Sequence, residues 1–356
     1  MKGERLTHPS GRRSVHYKRA CLVAILLFAG IPLKATAQVS YSVIDLGALD
    51  IGGYPVSAVV ANDINDAGIV VGFSSVATPA GDEVAHAFRW QSNKMSDLGT
   101  LGGSSSTAYA LNRRGEIVGS SLLAGDTQSS AVLWSRGRPS EIGGDAGNDI
   151  NSISQIAGAV FVNVDIHAAL WSGGQIIDLG TLGGDFSNGA AINDSGQVVG
   201  VSSKLVAGGG YINRGFTWAN GSMTEIGPFG GDGPSSANDI NNAGVIVGGA
   251  STSSNGFHAL RRVGQDMTDL GTLGGDFSTA LSINALGDIV GISLTAAGEI
   301  HPFVWSNGTM EDLTALVPPV SGWQLREAHA INRKGQIVGT GFRNGQQRAF
   351  LLTPNP

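Results

Sequence analysis

The stretch DLGTLGGDFSNGAAINDSGQVVG at positions 178–200 returns almost unchanged at 269–291 as DLGTLGGDFSTALSINALGDIVG. A unit that recurs at a fixed period cannot bury its apolar face alone, so such a chain folds by stacking its copies. Three motifs alternate along the sequence, and each occurs seven times. The first is an apolar–acidic–apolar–Gly segment that carries Asp45, Asp97, Glu141, Asp178, Glu225, Asp269 and Asp312. The second is a hairpin built on Asn65, Asn112, Asn151, Asn193, Asn241, Asn284 and Asn332, with spacings of 47, 39, 42, 48, 43 and 48 residues. The third is an aromatic-rich strand: HAFRW at 86–90, SAVLW at 130–134, HAALW at 167–171, RGFTW at 214–218, HALRR at 258–262, HPFVW at 301–305 and RAFLL at 348–352.

The hairpin shows why those residue types recur. In INDSGQVVG (192–200), the Asn193 side chain can accept from backbone amides as an Asx turn, and Gly196 falls where the chain needs positive φ. Gly holds that place in six copies, at 68, 115, 196, 244, 287 and 335; the third copy has Ser154. The Val/Ile run beyond it fits a strand buried on both faces. Each unit thus supplies four strands: A before the Asn, B on the VVG run, C on the aromatic run and D on the acidic run. Gly, 54 of 356 residues, is about twice its usual share, and charged residues make up only 14% against roughly 25% in average chains. That balance disfavours long helices and favours short strands with tight turns. Four strands per unit with no helix signal predict an all-β fold, a seven-bladed β-propeller of four-stranded blades.

The combined motifs LGTLGGDFS, AIND-G-QVVG and HAFxW resemble the HAF repeat family of predicted extracellular bacterial proteins, over about residues 41–354. The resemblance implies export and a propeller-like fold, and it implies no established activity. The third copy departs from the pattern in its short crossover near 143–147, and the seventh has LVPPVSGW (316–323) in place of LGTLGG.

The order of the motifs predicts how the ring closes. The chain begins on a lone D-type strand at 41–47 and ends on a C-type strand at 348–352, so the first strand should complete the last blade. Pairing of the N- and C-terminal strands removes the open sheet edges that invite aggregation. Residues 38–356 are therefore expected to form a single propeller domain of seven repeats.

Residues 1–37 are of another kind: seven Lys/Arg, one acid, an apolar run at 21–33 and then Ala35-Thr36-Ala37. Basic start, short apolar core and A-x-A site read as a signal peptide cut after Ala37. The apolar run has 13 residues, short of the ~20 that span a bilayer. Export to the periplasm, cell surface or medium is expected. Seven of the 22 basic and one of the 28 acidic residues lie in this segment, leaving 15 against 27 and a net charge of −12. Such a chain is repelled by nucleic acid and by anionic lipid, so neither is an expected partner, nor is membrane insertion after signal removal. The one cysteine, Cys21, also lies in this segment, so the core itself must supply stability.

Candidate sites are weighed against that repetition. The seven D-strand acids sit one per blade, too far apart to cooperate, and suit edge solubility or a backbone hydrogen bond. His86, His167, His258 and His301 open their C strands one per blade, whereas metal ligands must converge. The Trp set (90, 134, 171, 218 and 305) suits inter-sheet packing. Asp63-x-Asn65-x-Ala67-Gly68 is faintly like a calcium loop but lacks acids at its fifth and ninth places. The GGDFS loops at 183–187 and 274–278 lack the Lys and helix of a phosphate loop. No catalytic residue, metal or cofactor is assigned.

The expected function is a non-enzymatic binding or scaffold module, monomeric, with a carbohydrate or protein partner. Ligand contacts are placed on the face formed by D–A crossovers and B–C loops, where loop length varies. The B–C loops are read as 13 residues at 73–85 and 201–213, and as eight at 159–166 and 340–347. Asp185, Asp232, Asp276, Tyr211 and Arg214 are the candidate contacts on that face. The alternatives are a hydrolase or lyase with its site at one end of the tunnel, for which Tyr109, Tyr211, Arg214 and His329 are the raw material, and a purely structural surface repeat.

Overall fold

A computed structural model describes residues 40–356, and the signal segment expected over 1–37 lies outside the described residues. The described chain holds 28 strands and two short 3-10 turns, Leu313–Leu316 and Pro319–Ser321. None of its helices is long and apolar enough to cross a membrane. Five sheets have four strands and a sixth has eight. The eight-stranded sheet is two four-stranded meanders joined by one parallel pairing, Phe257 with Phe277. We number the resulting four-stranded units as blades 1 to 7: 56–97, 102–141, 146–178, 187–226, 235–269, 274–312, and 323–354 with the first strand. The chain is an all-β propeller.

The first strand, Tyr41–Asp45, pairs antiparallel with Gln346–Pro354, in register from Tyr41 opposite Pro354 to Asp45 opposite Phe350. Blade 7 is therefore built from both ends of the described chain, as the motif order predicted. Tyr41 and Leu46 are buried, while Ile44 faces solvent.

Seven apolar clusters hold the ring, each shared by two consecutive blades. Val71, Ala108, Ile117, Val132 and Trp134 join blades 1 and 2. Leu46, Val59, Phe88, Trp90, Val338 and Leu351 join blade 7 back to blade 1. Trp90, Trp134 and Trp171 are buried in these clusters, and Trp218 and Trp305 pack against them half-buried. Large aromatic area between sheets is the main term holding such layers together.

The VVG glycine has a packing cause that periodicity does not reveal. Strand A bulges just before the Asn, as between Ala61 and Asp63 opposite Gly72 and Val71. The bulge lays a strand-A carbonyl over the glycine. A Cβ on Gly72 would sit 1.9 Å from the Val60 oxygen, and one on Gly200 would sit 2.0 Å from that of Asn188.

The LGTLGG crossover is held by hydroxyls. Thr100 Oγ1 donates to the Gly103 carbonyl at 2.8 Å and accepts from the Gly102 amide at 3.1 Å. Ser106 Oγ donates to Gly99 O at 2.8 Å and accepts from Ala87 N at 3.0 Å. Thr181 with Ser187, and Thr272 with Ser278, repeat this pattern.

The B–C loops are shorter than their composition predicts. Strands run to Ala77 and resume at Glu83, and they run to Leu205 and resume at Tyr211. In blades 3 and 7 the hairpins shrink to residues 163–164 and 344–345. Small polar residues such as Ser74 and Ser202 read as loop, yet they lie in the ladder. Their hydroxyls accept from the crossover amides of Leu49 and Leu182.

Candidate functional site

The innermost strands bring the seven hairpin Asn side chains into one closed circle. Each Oδ1 accepts from the amides two and four residues on, at 2.9–3.2 Å, which is the Asx turn read from the sequence. Each Nδ2 donates to the backbone carbonyl of the Asn in the next blade, at 3.1–3.4 Å, and Asn332 closes the circle onto Asn65. The second bond was not legible in the sequence, because it joins residues some 40–270 positions apart. All seven Asn are buried. They floor a recess of about 310 Å³ on the A–B turn face. Asp66, Arg113, Asp194 and Arg333 stand on its rim. The rim is itself hydrogen-bonded: Arg333 N donates to Asp66, Ser152 N to Asp194, and Asp194 N to Asn242.

Two residues before the Asn, blades 1, 3 and 5 carry Asp63, Asp149 and Asp239. Each binds its own following amide at 2.7 Å and an amide of the next blade, Leu111, Ile192 or Ile283, at 2.8–2.9 Å. Burial pushes Asp63 up to about 6 and Asp149 up to about 7, and it raises Asp239 as well. Repulsion from Asp239 adds to the rise at Asp63 and at Asp149, and repulsion from Asp63 adds to it at Asp149. By surface area each of the three residues is half-buried. The faint calcium-loop reading of Asp63 and Asn65 does not fit this geometry, since their oxygens are engaged by amides. Among the described residues no three His, Cys, Asp or Glu side chains converge to hold a metal.

The four C-strand histidines each pair with the D-strand acid of their own blade: His86 with Asp97, His167 with Asp178, His258 with Asp269 and His301 with Asp312, at 2.7–2.9 Å. The same acids accept the amide two residues on, as Asp97 does from Gly99 at 2.7 Å. In blade 4 Lys204 and Arg214 meet Glu225, and in blade 7 Arg343 meets Asp45. His329 stands apart, with Nδ1 donating to Ala61 O at 2.7 Å and Nε2 lying 2.8 Å from Glu327. The hydrogen bond from His329 holds the Glu327 carboxyl below its usual range.

Of the five ligand-face candidates, Asp185, Asp232, Asp276 and Tyr211 are exposed. Arg214 is only 4% exposed, with Nε 3.0 Å from Glu225 and Nη2 donating to the Asp232 carbonyl. It braces the crossover from beneath instead of facing a ligand. Tyr109 bonds Ser120 within its own blade. The raw material of a tunnel-end catalytic cluster is thus distributed over blades 2, 4 and 7.

The sequence matches no family model. No curated protein is significantly similar to it. In backbone, the chain is similar to the β-propeller domain of the Trilobed protease from Pyrococcus furiosus, with a TM-score of 0.60 and 8% identity over 84% of this chain and 96% of that one. That domain is described as having an open velcro topology. The chain is also similar to Pyrococcus horikoshii acylaminoacyl peptidase, with a TM-score of 0.52 and 10% identity, over 82% of this chain and 52% of that one. At such identities the likeness concerns the fold alone.

Proposed function

We propose that the chain is an exported, non-enzymatic propeller of the HAF-repeat type that binds a carbohydrate or protein partner. The observation that supports this reading is how its polar groups are engaged. Each of the five described histidines is tied to an acid, four of them to the D-strand acid of their own blade. A general acid or base must reach substrate with a matched partner within hydrogen-bond distance. Side chains already paired around a ring are ill-placed for that. The exposed Asp185, Asp232, Asp276 and Tyr211 stand on a rigid scaffold, the usual setting of recognition residues. Export is supported by the basic start, apolar run and A-x-A site of residues 1–37, which predict a mature chain starting at Gln38.

The test is a glycan array and a hydrolase panel run on purified residues 38–356. Retention of a glycan or protein without turnover, weakened by Tyr211→Ala, is the expected result. Turnover of any panel substrate would replace this reading with the tunnel-end enzyme.

A further inference from the structure

Six of the seven D-strand acids have a cationic or imidazole partner, and Glu141 in blade 2 has none among the described residues. The position that holds His86 in blade 1 and His167 in blade 3 is Ser130 in blade 2. Ser130 is 3% exposed, and its hydroxyl has no hydrogen-bond partner among the described residues. Beside it the path from the D-strand acid to the next hairpin Asn is short: Asn151 lies 10 positions after Glu141, whereas Asn112 lies 15 after Asp97 and Asn193 lies 15 after Asp178. Loss of the imidazole and of crossover length together leave a groove of about 710 Å³ between the two blades. Ser130, Glu141, Gly143, Val160, Phe161 and Ile176 line it, and no Lys, Arg or His does.

The far wall of this groove is apolar and open. Phe161 is 63% exposed and Ile176 46%. Ile176 belongs to Gln175–Asp178, the outermost strand of blade 3, which has no neighbour on its outer side among the described residues. In blades 1, 2, 4, 5 and 6 this strand reads KMSD, RPSE, SMTEI, DMTD and TMED, and in blade 7 YSVID with Ile44 exposed; here it is QIID, with Ile176 and Ile177 both exposed. An unpaired edge with apolar side chains is a template for adding an extended segment.

We propose that the groove between blades 2 and 3 docks an arginine side chain carried on an extended, apolar-flanked segment of a protein partner. The guanidinium takes the place of the missing histidine, bonding Glu141 and the Ser130 hydroxyl. Charge complementarity selects the cation, since Glu141 and Asp145 border the groove with no base to offset them. Arginine suits it because its planar fork binds a carboxylate and also stacks on an aromatic face, here that of Phe161. Apolar neighbours on the segment cover Phe161 and Ile176. This inference rests on reading the chain as a binding module.

The experiment is a selection of random heptapeptides on residues 38–356, with Ser130→His run in parallel. That variant restores the residue other blades carry, so it should fold with an unchanged or higher Tm. Selected peptides should be enriched in arginine between apolar residues and bind Ser130→His at least tenfold more weakly. Glu141→Gln should weaken the synthesised peptides about fivefold, the scale of an exposed ion pair. Peptides without basic residues, or retained equally by Ser130→His, would overturn the groove but leave the binding module standing. L-arginine methyl ester binding as tightly as the peptides would overturn the protein partner. Retention of no peptide would overturn the groove, and with an empty glycan array it would overturn the binding module too.

Discussion

Asp149 is an acid that folding prefers to keep protonated. Burial and repulsion from Asp239 hold it at about 7, and Asp63 at about 6, against 3.8 for a free side chain. A group raised on folding contributes stability fully below its unfolded pKa and loses it as pH rises through the folded value. The stability these acids contribute should therefore be greatest near pH 4 and fall as the pH rises to about 7, with a few kcal/mol at stake, since each tenfold change in proton affinity is worth about 1.4 kcal/mol. Asp149→Asn should lower the Tm at pH 4, since one amide loses its acceptor, yet flatten the fall between pH 4 and 7. A native profile already flat over that range would contradict this assignment. Ser154 poses a separate balance. Its φ is +63°, a region that costs a non-Gly residue about 1 kcal/mol. Its hydroxyl, however, donates to Glu116 at 2.6 Å and accepts from Arg114. Ser154→Ala keeps the strain and loses both bonds; Ser154→Gly loses the bonds but relieves the strain. Urea unfolding should find the Ala variant less stable than the Gly variant by about 1 kcal/mol; equal stabilities would mean the turn is unstrained.

Between strands, the bulge and the VVG glycine form one device. The bulge turns the A strand inward and brings a carbonyl against the B strand, so the facing residue cannot carry a Cβ. In Gly200→Ala the new atom would lie 2.0 Å from the Asn188 oxygen and 2.9 Å from the Phe216 ring. Overpacking of this kind should destabilise by about 3 kcal/mol. Gly227→Ala, with nothing within 4 Å, should stay within about 0.5 kcal/mol. Comparable losses at both sites would remove the carbonyl contact as the cause. The contrast marks what a sequence discloses. The turn residues Asn193 and Gly196 act within their own hairpin, so local chemistry was enough to read them. Gly200 answers to a carbonyl on another strand, and Asp63, Asp149 and Asp239 to amides of another blade. The motif NDI occurs in only three of the seven copies and signals its buried acid only once the ring is assembled. Ser74 and Ser202 misled for the opposite reason: polar residues extend the ladder because crossover amides need their hydroxyls. The vacant pair at Ser130 and Glu141 was visible as a break in the repeat, but the groove it leaves depends on Phe161 and Ile176 of the next blade.

At the scale of the whole ring, the last blade is completed by the first strand. Removing residues 38–47 should expose the edge of Gln346–Pro354, strip Tyr41 and Leu46 from the cores and cost roughly 1.5–3 kcal/mol for each large side chain. Removing residues 206–210, which lie outside both flanking strands, should be far milder, because loop length is tolerated. A thermal melt that drops equally for both deletions would speak against closure by the terminal strand. The most direct measurement is a cross-link through the closing pair. Ser42 and Thr353 are antiparallel partners, with Ser42 Oγ donating to the Thr353 carbonyl at 3.3 Å. Such partners sit about 4.5–5.5 Å apart between Cα atoms, within the span of a disulfide. Residues 38–356 contain no cysteine, so Ser42→Cys with Thr353→Cys introduces the only two thiols. In native buffer under mild oxidation, a closed ring should form one intramolecular disulfide nearly quantitatively and raise the Tm. Thiols that stay free, or that link only between molecules, would show that the first strand does not close the propeller.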